Sequence, residues 1–255
     1  MLIYALVMVL SKYKLIMSDL DNTLLPIYTQ DEFVQIWFRD ISKVFRAYGL
    51  DPVKAASGVN QGIRAMLYND GSRKNIEVFY DEVEKICGYT REQIEPPTLE
   101  YYSTTFENVY DITLPNPFAV RIAELMREKA KYAVIATMPV FTIEAVAMRM
   151  GWVGLKPEMF DHITTAHTSS YCKPNPQFFQ EILDRFGTKP EEALMIGNDV
   201  REDMYPCKEL GVDTFLVTNH IITHGLPFDD FRQGRYENLV AFLKQLSNEE
   251  ITLSW

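Results

Sequence analysis

The sequence predicts an α/β fold in which a parallel sheet is interrupted by an inserted helical segment. Two observations lead to this prediction. Short apolar runs rich in β-forming residues recur along the chain, and helical patterns separate the later ones. Such alternation is typical of right-handed crossovers and of a parallel sheet covered by helices on both faces. The interval between the first two runs, by contrast, shows helical periodicity only.

The predicted strands are almost continuously apolar, as expected of strands buried on both faces. They cover residues 13–18, 132–136, 160–165, 193–196 and 213–218. Apolar residues at helical spacing precede the second and fourth strands and follow the second. Gly151 and Gly187 are the natural ends of two of these helices.

The long interval after the first strand is predicted to be entirely helical. One apolar stripe ends at Gly49, and Asp51 with Pro52 supply an N-cap and a first-turn proline for the next helix. A third stripe ends at Gly88. Pro96 and Pro97 are expected to interrupt a fourth helical segment. The aromatic residues in these stripes are interpreted as core rather than as a ligand box.

Composition limits the classes of function. Hydrophobic residues make up 47% of the 255 residues and charged residues 24%, which favours a packed core over disorder. The formal net charge of −10 argues against nucleic acid as a partner. It also repels anionic substrates at long range, so a phosphorylated ligand would need a local cation.

Cysteine usage and the N-terminus indicate a cytoplasmic protein. The three cysteines match no zinc spacing and are interpreted as reduced thiols. Residues 1–10 are apolar but too short to span a bilayer, and they lack the features of a cleavable signal. We interpret them as an N-terminal extension of unassigned role and expect no membrane partner.

The most informative residues are two carboxylates at the end of the first strand. Asp19 and Asp21 follow the apolar run 13–18, at the sheet edge where loops and ligands meet. Two acids crowded there cost electrostatic energy unless a cation or a catalytic task compensates. The alternative is an ordinary strand end followed by a turn at Asn22.

Further polar residues follow the other strands. Thr137 comes after the second strand, Lys173 precedes a Pro-x-Pro segment, and Asp199 and Asp203 follow Gly197. Each has an ordinary explanation taken alone: a hydroxyl that satisfies the backbone, a solvated loop lysine, and acids favoured by a helix dipole. Together they converge on the crevice where α/β sheets bind ligands. Acids and one lysine at that place suit Mg²⁺ and a phosphate.

These motifs resemble those of the haloacid dehalogenase-like (HAD) superfamily. The segment Asp19-Leu20-Asp21-Asn22-Thr23 matches the first motif, Thr137 the second, Lys173 the third, and Asp199 with Asp203 the fourth. The resemblance implies a Rossmann-like catalytic core with an inserted all-helical C1 cap. On this basis the core is expected to comprise residues 1–25 and 112–255, and the cap residues 26–111.

The resemblance also implies a phosphoaspartyl mechanism. Asp19 is expected to attack phosphorus, and Asp21 to protonate the leaving alcohol and then deprotonate water. Thr137 and Lys173 are expected to bind the phosphoryl oxygens, with Asp203 orienting Lys173. Mg²⁺ is expected to be bound by Asp19, the backbone carbonyl of Asp21, and Asp199.

Two positions depart from the family pattern. Many members have Asn after the second-motif Thr, whereas this chain has Met138, which is still expected to border the phosphate. The fourth motif commonly has Asp directly after its glycine, and Asn198 stands there instead. Asp199 is favoured as the metal ligand for its charge, and Asn198, otherwise assigned to phosphate binding, is the alternative.

The predicted function is that of a Mg²⁺-dependent phosphatase, a phosphoric monoester hydrolase acting on a small phosphorylated metabolite. By the same resemblance, the dehalogenases of the superfamily lack an acid at the position of Asp21. Its presence therefore favours a phosphatase over a dehalogenase. The alternatives are a phosphomutase with the same first step and a non-catalytic binding protein on the same scaffold. The protein is expected to be a monomer or a homodimer.

Overall fold

The computed structural model describes residues 6–28, 30–246 and 248–253. Its centre is a six-stranded parallel sheet in the order β4-β3-β2-β5-β6-β7. The strands are β2 (Leu15–Ser18), β3 (Tyr132–Ile135), β4 (His162–Ile163), β5 (Ala193–Gly197), β6 (Asp213–Val217) and β7 (Gln233–Gly234). The five predicted strands are therefore confirmed, and the two-residue edge strand β7 was not predicted.

Helices cover both faces of this sheet, as its fully buried strands require. The helices of the sheet domain are α5 (Ala119–Lys129), α6 (Ile143–Trp152), α7 (Pro176–Phe186), α8 (Tyr205–Leu210) and α9 (Tyr236–Gln245). In β2, Ile16 packs into the core on one face, whereas Leu15 and Met17 pack into the core on the other. Full burial of each such side chain stabilises the fold by about 1.5–3 kcal/mol.

Two predicted helix ends have different outcomes. Gly187 ends α7 in the left-handed conformation, at φ 52°, as expected of a C-terminal glycine. Gly151, by contrast, lies inside α6, which ends one residue later at Trp152. That glycine has a helical backbone, so it does not terminate the helix.

A helical insertion follows β2. It contains α1 (Gln30–Ala47), α2 (Pro52–Leu67), α3 (Asn75–Cys87), α4 (Arg91–Ser103) and a 3₁₀ segment (Thr105–Ile112). Asp51 caps α2 as predicted, since its carboxylate accepts hydrogen bonds from the backbone N–H groups of Val53 and Lys54. The predicted interruption at Pro96 and Pro97 is wrong, because α4 continues through both prolines. Burial of Ile94 and Tyr101 on either side of them favours the continuous helix.

The insertion has its own apolar core. Trp37, Phe45, Val83 and Phe106 are buried there together. This core extends to the sheet domain, since Ala145, Ala166 and Cys172 belong to the same cluster. The predicted stripes of aromatic residues are thus packing residues of the insertion.

The chain enters and leaves the insertion at adjacent positions. Ile27 and Thr113 form an antiparallel bridge, and the N–H of Tyr28 donates to the carbonyl of Ile112 at 2.8 Å. The N–H of Leu114 donates in turn to the carbonyl of Pro26 at 2.9 Å. These paired crossings support the proposal that the cap comprises residues 26–111.

A second, two-stranded sheet lies near the chain ends. Strand β1 (Leu6–Ser11) pairs antiparallel with β8 (Asn248–Leu253). Residues 6–10 of the apolar N-terminal segment thus belong to a strand, while residues 1–5 lie outside the described residues. Within the described ranges, no helix combines the length and the apolar character needed to cross a membrane.

Candidate active site

The register of the sheet explains why the predicted residues meet. Ser18 at the end of β2 lies opposite Ile135 of β3 and Ile196 of β5. The N–H of Asp19 donates to the carbonyl of Ile196 at 2.9 Å, and the N–H of Ala136 donates to that of Ser18 at 2.8 Å. The three segments that follow these strands therefore emerge side by side.

A cavity of about 240 Å³ opens at this edge. Its lining includes every residue that the sequence analysis assigned to the site: Asp19, Asp21, Thr137, Met138, Lys173, Asn198, Asp199 and Asp203. Glu202 and Ile222 complete it. The motifs therefore converge as expected, although their individual chemical roles remain predictions.

Lys173 lies between two carboxylates. Its Nζ is 2.8 Å from Oδ1 of Asp19 and 2.6 Å from Oδ1 of Asp203, and the lysine is only 3% exposed. Burial lowers the pKa of Lys173, but the charges of Asp19 and Asp203 outweigh it and hold this pKa above its ordinary value. Lys173 is thus a fixed positive charge inside an acidic cavity.

Asp203 is fixed by contacts on both sides of its carboxylate. Oδ2 accepts a hydrogen bond from the backbone N–H of Asp199 at 3.1 Å, while Oδ1 faces Lys173. Burial raises the pKa of Asp203 to about 7, although Lys173 opposes the shift. The side chain also packs directly against the Cα of Gly197, where a Cβ would lie 2.5 Å from Cγ of Asp203. Glycine is therefore needed at position 197 because there is no room for a side chain, not because of an unusual backbone angle.

Thr23 connects the first and fourth motifs. Its Oγ1 is 3.1 Å from Oδ2 of Asp19 and 2.9 Å from Oδ1 of Asn198. The turn that places it is formed at Asn22, which has a left-handed backbone at φ 61° and whose Oδ1 accepts from the N–H of Ile27 at 2.9 Å. The Asn-containing turn considered from the sequence is thus present together with the acid pair.

Asn198 and Asp199 have different surroundings. Nδ2 of Asn198 donates to the carbonyl of His220 at 2.7 Å, and its Oδ1 accepts from the hydroxyl of Thr23. Both oxygens of Asp199 have protein partners. Its Oδ1 accepts from the N–H groups of Arg201 and Glu202 at 2.9 and 2.8 Å, capping a short π-helical turn (Val200–Met204). Its Oδ2 lies 2.7 Å from Nε2 of His224.

Asp21 forms an ion pair that the sequence analysis did not anticipate. Its Oδ2 is bound by Nη1 of Arg149, an α6 residue that is 1% exposed. Burial raises the pKa of Asp21 above its ordinary value, and the guanidinium of Arg149 acts in the opposite direction. Arg149 lies among the buried apolar residues of its helix, and nothing in the sequence indicates which strand end it would reach.

The loop after β6 also reaches the site. The N–H of Ile222 donates to the carbonyl of Asn198 at 3.0 Å, and the carbonyl of Ile222 accepts from the N–H of Val200 at 2.9 Å. These bonds position the loop so that His224 contacts Asp199. Glu202 borders the cavity as well, and burial raises its pKa, with the charge of Asp199 acting in the same direction.

The donor set fits a hard divalent cation better than zinc. Among the described residues, no group of three or more His, Cys, Asp or Glu side chains is arranged to hold a metal. The cavity instead is lined by residues with carboxylate and amide oxygens, among them Asp19, Asn198 and Asp199. Mg²⁺ prefers oxygen ligands and commonly retains waters, so it fits this set. Cys87, Cys172 and Cys207 are free thiols, and all three are buried.

Comparisons with known proteins agree with this architecture. A match to the haloacid dehalogenase-like hydrolases covers residues 13–219. The glyceraldehyde 3-phosphate phosphatase of Methanocaldococcus jannaschii is 29% identical over 241 residues, which cover 92% of this chain and 98% of that protein.

Two solved structures share the fold. The HAD phosphatase from Thermococcus onnurineus has a TM-score of 0.56 at 18% identity and covers 92% of this chain and 100% of its own. A protein described as the HAD-hydrolase YfnB from Bacillus subtilis, bound to magnesium, has a TM-score of 0.53 at 18% identity and covers 91% and 99%. At these identities the two structures support the fold alone. The chain therefore belongs to the haloacid dehalogenase-like hydrolases, with a helical cap of the C1 type inserted after the first strand of its core.

Proposed function

We propose that this protein is a Mg²⁺-dependent phosphatase that hydrolyses a small phosphomonoester through an aspartyl-phosphate intermediate. One observation carries the proposal: a buried lysine is paired with Asp19 inside a cavity lined by acids and amide oxygens. Such a lysine supplies the local positive charge that a phosphoryl group needs in a chain of net charge −10.

The nucleophile in this proposal is Asp19. Its Oδ1 and Oδ2 contact Lys173 and Thr23, so the carboxylate is held in one orientation before the substrate arrives. Attack on phosphorus forms a bond between Asp19 and the phosphoryl group while the alcohol leaves. Lys173 and Thr137 bind the phosphoryl oxygens, Met138 borders them, and Asp203 keeps Lys173 in position.

Asp21 acts as the acid and then the base. It donates a proton to the leaving oxygen, and in the second step it takes a proton from the water that cleaves the aspartyl phosphate. General acid–base catalysis of this kind contributes about 10²–10⁴-fold to the rate.

The residues that would hold Mg²⁺ are Asp19, the carbonyl of Asp21, and either Asn198 or Asp199. When bound, the ion reduces the repulsion between an anionic nucleophile and an anionic phosphate. The contacts above favour Asn198 over Asp199, because the oxygens of Asp199 bind two backbone N–H groups and His224, whereas Oδ1 of Asn198 accepts only from the hydroxyl of Thr23, which also contacts Asp19. This reverses the preference drawn from charge alone.

The size of the cavity supports a small substrate. Its volume of about 240 Å³ lies below the range of about 300–1,000 Å³ that is usual for drug-sized ligands. The relative from Methanocaldococcus jannaschii is a glyceraldehyde 3-phosphate phosphatase, so three-carbon phosphates are the first candidates.

A phosphate-release assay tests the proposal. Purified protein with Mg²⁺ is offered a panel of triose phosphates, sugar phosphates, nucleotides and an aryl phosphate. We expect release of inorganic phosphate that is abolished by chelation and by Asp19→Asn. Robust activity of Asp19→Asn, or no release from any member of the panel, would refute the proposal. Isomerisation of a sugar phosphate without phosphate release would establish the phosphomutase alternative instead.

A further inference from the structure

The two buried cations of the described residues each contact one acid of the first motif. Lys173 is paired with Asp19, and Arg149 is paired with Asp21. Lys173 belongs to a recognised motif, whereas Arg149 lies on α6 and has no assigned role.

Arg149 makes several contacts, but one of its guanidinium nitrogens has no hydrogen-bond partner. Its Nε donates to the carbonyl of Ala145 at 3.3 Å, and its guanidinium carbon lies 4.4 Å from the ring centre of Phe141. Nη1 binds Asp21, while Nη2 is buried with no hydrogen-bond partner. The contact with Asp21 is therefore a single-point ion pair and not the two-point arrangement that a guanidinium and a carboxylate can form.

The two oxygens of Asp21 are consequently different. Oδ2 accepts from Arg149, and Oδ1 is buried without a partner in a side chain that lines the cavity. Since Oδ2 faces an N–H donor, a proton on Asp21 is accommodated only at Oδ1. Oδ1 is then the oxygen that can carry the proton of Asp21.

We propose that Arg149 is a positioning residue for Asp21, holding Oδ2 so that Oδ1 faces the reacting oxygen. This inference rests on the proposed function. In the first step the O–H bond at Oδ1 breaks, and its proton moves to the leaving oxygen as the P–O bond is cleaved. In the second step Oδ1 takes a proton from water as the water oxygen bonds to phosphorus and the bond to Asp19 breaks. Arg149 donates to Oδ2 throughout both steps.

A purely structural role explains Arg149 less well. Its neighbours Ala145, Val146 and Met150 are buried, so an apolar side chain would suit the position. Burying a guanidinium carries a large desolvation cost, and a buried ion pair is often no more stabilising than apolar residues of similar volume. The unpartnered Nη2 adds to that cost.

Leaving-group dependence distinguishes the two roles. We compare kcat/KM for glycerol phosphate, whose alkoxide needs a proton, with kcat/KM for 2,4-dinitrophenyl phosphate, whose leaving group does not. This parameter does not depend on the later hydrolysis of the aspartyl phosphate. We expect Arg149→Met to lower kcat/KM by roughly 10²–10³-fold for glycerol phosphate and by less than about 10-fold for the aryl ester. Arg149→Lys, which keeps a donor, should recover a large part of the loss.

A double-mutant cycle provides the second readout. Asp21→Asn should show the same leaving-group pattern, and adding Arg149→Met to it should produce no further loss, because Arg149 acts through Asp21. Arg121→Met, which removes a partly exposed arginine from α5, is the control and should leave the activity on both substrates unchanged. If Arg149→Met alone does not fold, the double variant and Arg149→Lys still complete the comparison.

The outcomes separate this inference from the function on which it rests. An equal loss for both substrates, or a further loss in the Asp21→Asn background, would overturn the role of Arg149 while leaving the phosphatase intact. Absence of activity in the wild-type protein, or full activity of Asp19→Asn, would instead remove the proposed function.

Discussion

Gly197→Ala tests whether close packing at the end of β5 is needed for the site. The added methyl group would lie 2.5 Å from Cγ and 2.6 Å from Cβ of Asp203. Ordinary carbon–carbon contacts are about 3.5–4.0 Å, so Asp203 has to move by about 1 Å. The contacts it would lose are those with Lys173, at 2.6 Å, and with the N–H of Asp199, at 3.1 Å.

The expected destabilisation follows from these contacts. Overpacking a rigid site costs about 1–3 kcal/mol. Hydrogen bonds to charged groups contribute about 1.5–3 kcal/mol each, and partial relaxation recovers some of that energy. We therefore expect unfolding to become easier by about 3–5 kcal/mol, which corresponds to a fall in Tm of roughly 10 °C in a chain of this size. Displacement of Lys173 should lower kcat by about 10²-fold or more.

Urea and thermal denaturation measure the change in stability, and phosphate release measures the change in kcat. Gly151→Ala is the matched control, because no atom beyond its chain neighbours and its own helix backbone lies within 4 Å of the added methyl group. Alanine in a helix interior should stabilise the protein by up to about 1 kcal/mol. If Gly197→Ala kept the Tm within 2 °C of the wild type and kcat within twofold, the close approach to Asp203 would not be a constraint.

Three further predictions concern other parts of the molecule. Burial, assisted by the charge of Arg185, lowers the pKa of His162 from 6.5 to about 4, so its contribution to stability is complete above pH 6.5 and is lost as the pH falls towards 4. Allowing for the partial exposure of His162, we expect the protein to lose about 1–3 kcal/mol of stability between pH 6.5 and pH 4. Urea denaturation at several pH values measures this loss, and His162→Gln should make stability less dependent on pH over the same range. Asn75 is fully buried, and its Nδ2 lies 3.2 Å from the carbonyl of Pro139 and 3.4 Å from Sγ of Cys172. Asn75→Ala should therefore lower the free energy of unfolding by about 2–3 kcal/mol and speed hydrogen exchange in residues 137–142 and 166–173. Unchanged exchange in these two segments would contradict the prediction. For metal binding, calorimetry with Mg²⁺ should show a larger loss of affinity in Asn198→Ala than in Asp199→Asn, and the opposite order would restore the charge-based assignment.

The convergence of the motifs could be predicted because it depends only on strand direction. Parallel strands deliver their carboxyl ends to one edge, so Asp19, Thr137 and Asn198 had to emerge close together once the strands were recognised. The insertion was recognisable for a similar reason, since a long helical interval cannot contribute strands to the sheet.

Contacts between distant elements could not be predicted from local patterns. Arg149 reaches Asp21 across 128 residues, and His224 reaches Asp199 across 25 residues from a loop. Neither pairing has a local signal, because each depends on how a helix or a loop is positioned on the sheet. The choice between Asn198 and Asp199 as metal ligand could not be made from the sequence for the same reason. Charge favoured Asp199, whereas the hydrogen bonds of the folded protein favour Asn198.

The bridge between Ile27 and Thr113 gives the helical insertion the topology of one very large surface loop. Because its two ends are already joined by hydrogen bonds, a short turn could replace everything between them without altering the order of the strands. The helical insertion can therefore be exchanged or reshaped in evolution while the arrangement of residues at the end of β2 stays the same. A chimaera that carries another family member's insertion between these two positions should therefore retain a folded sheet.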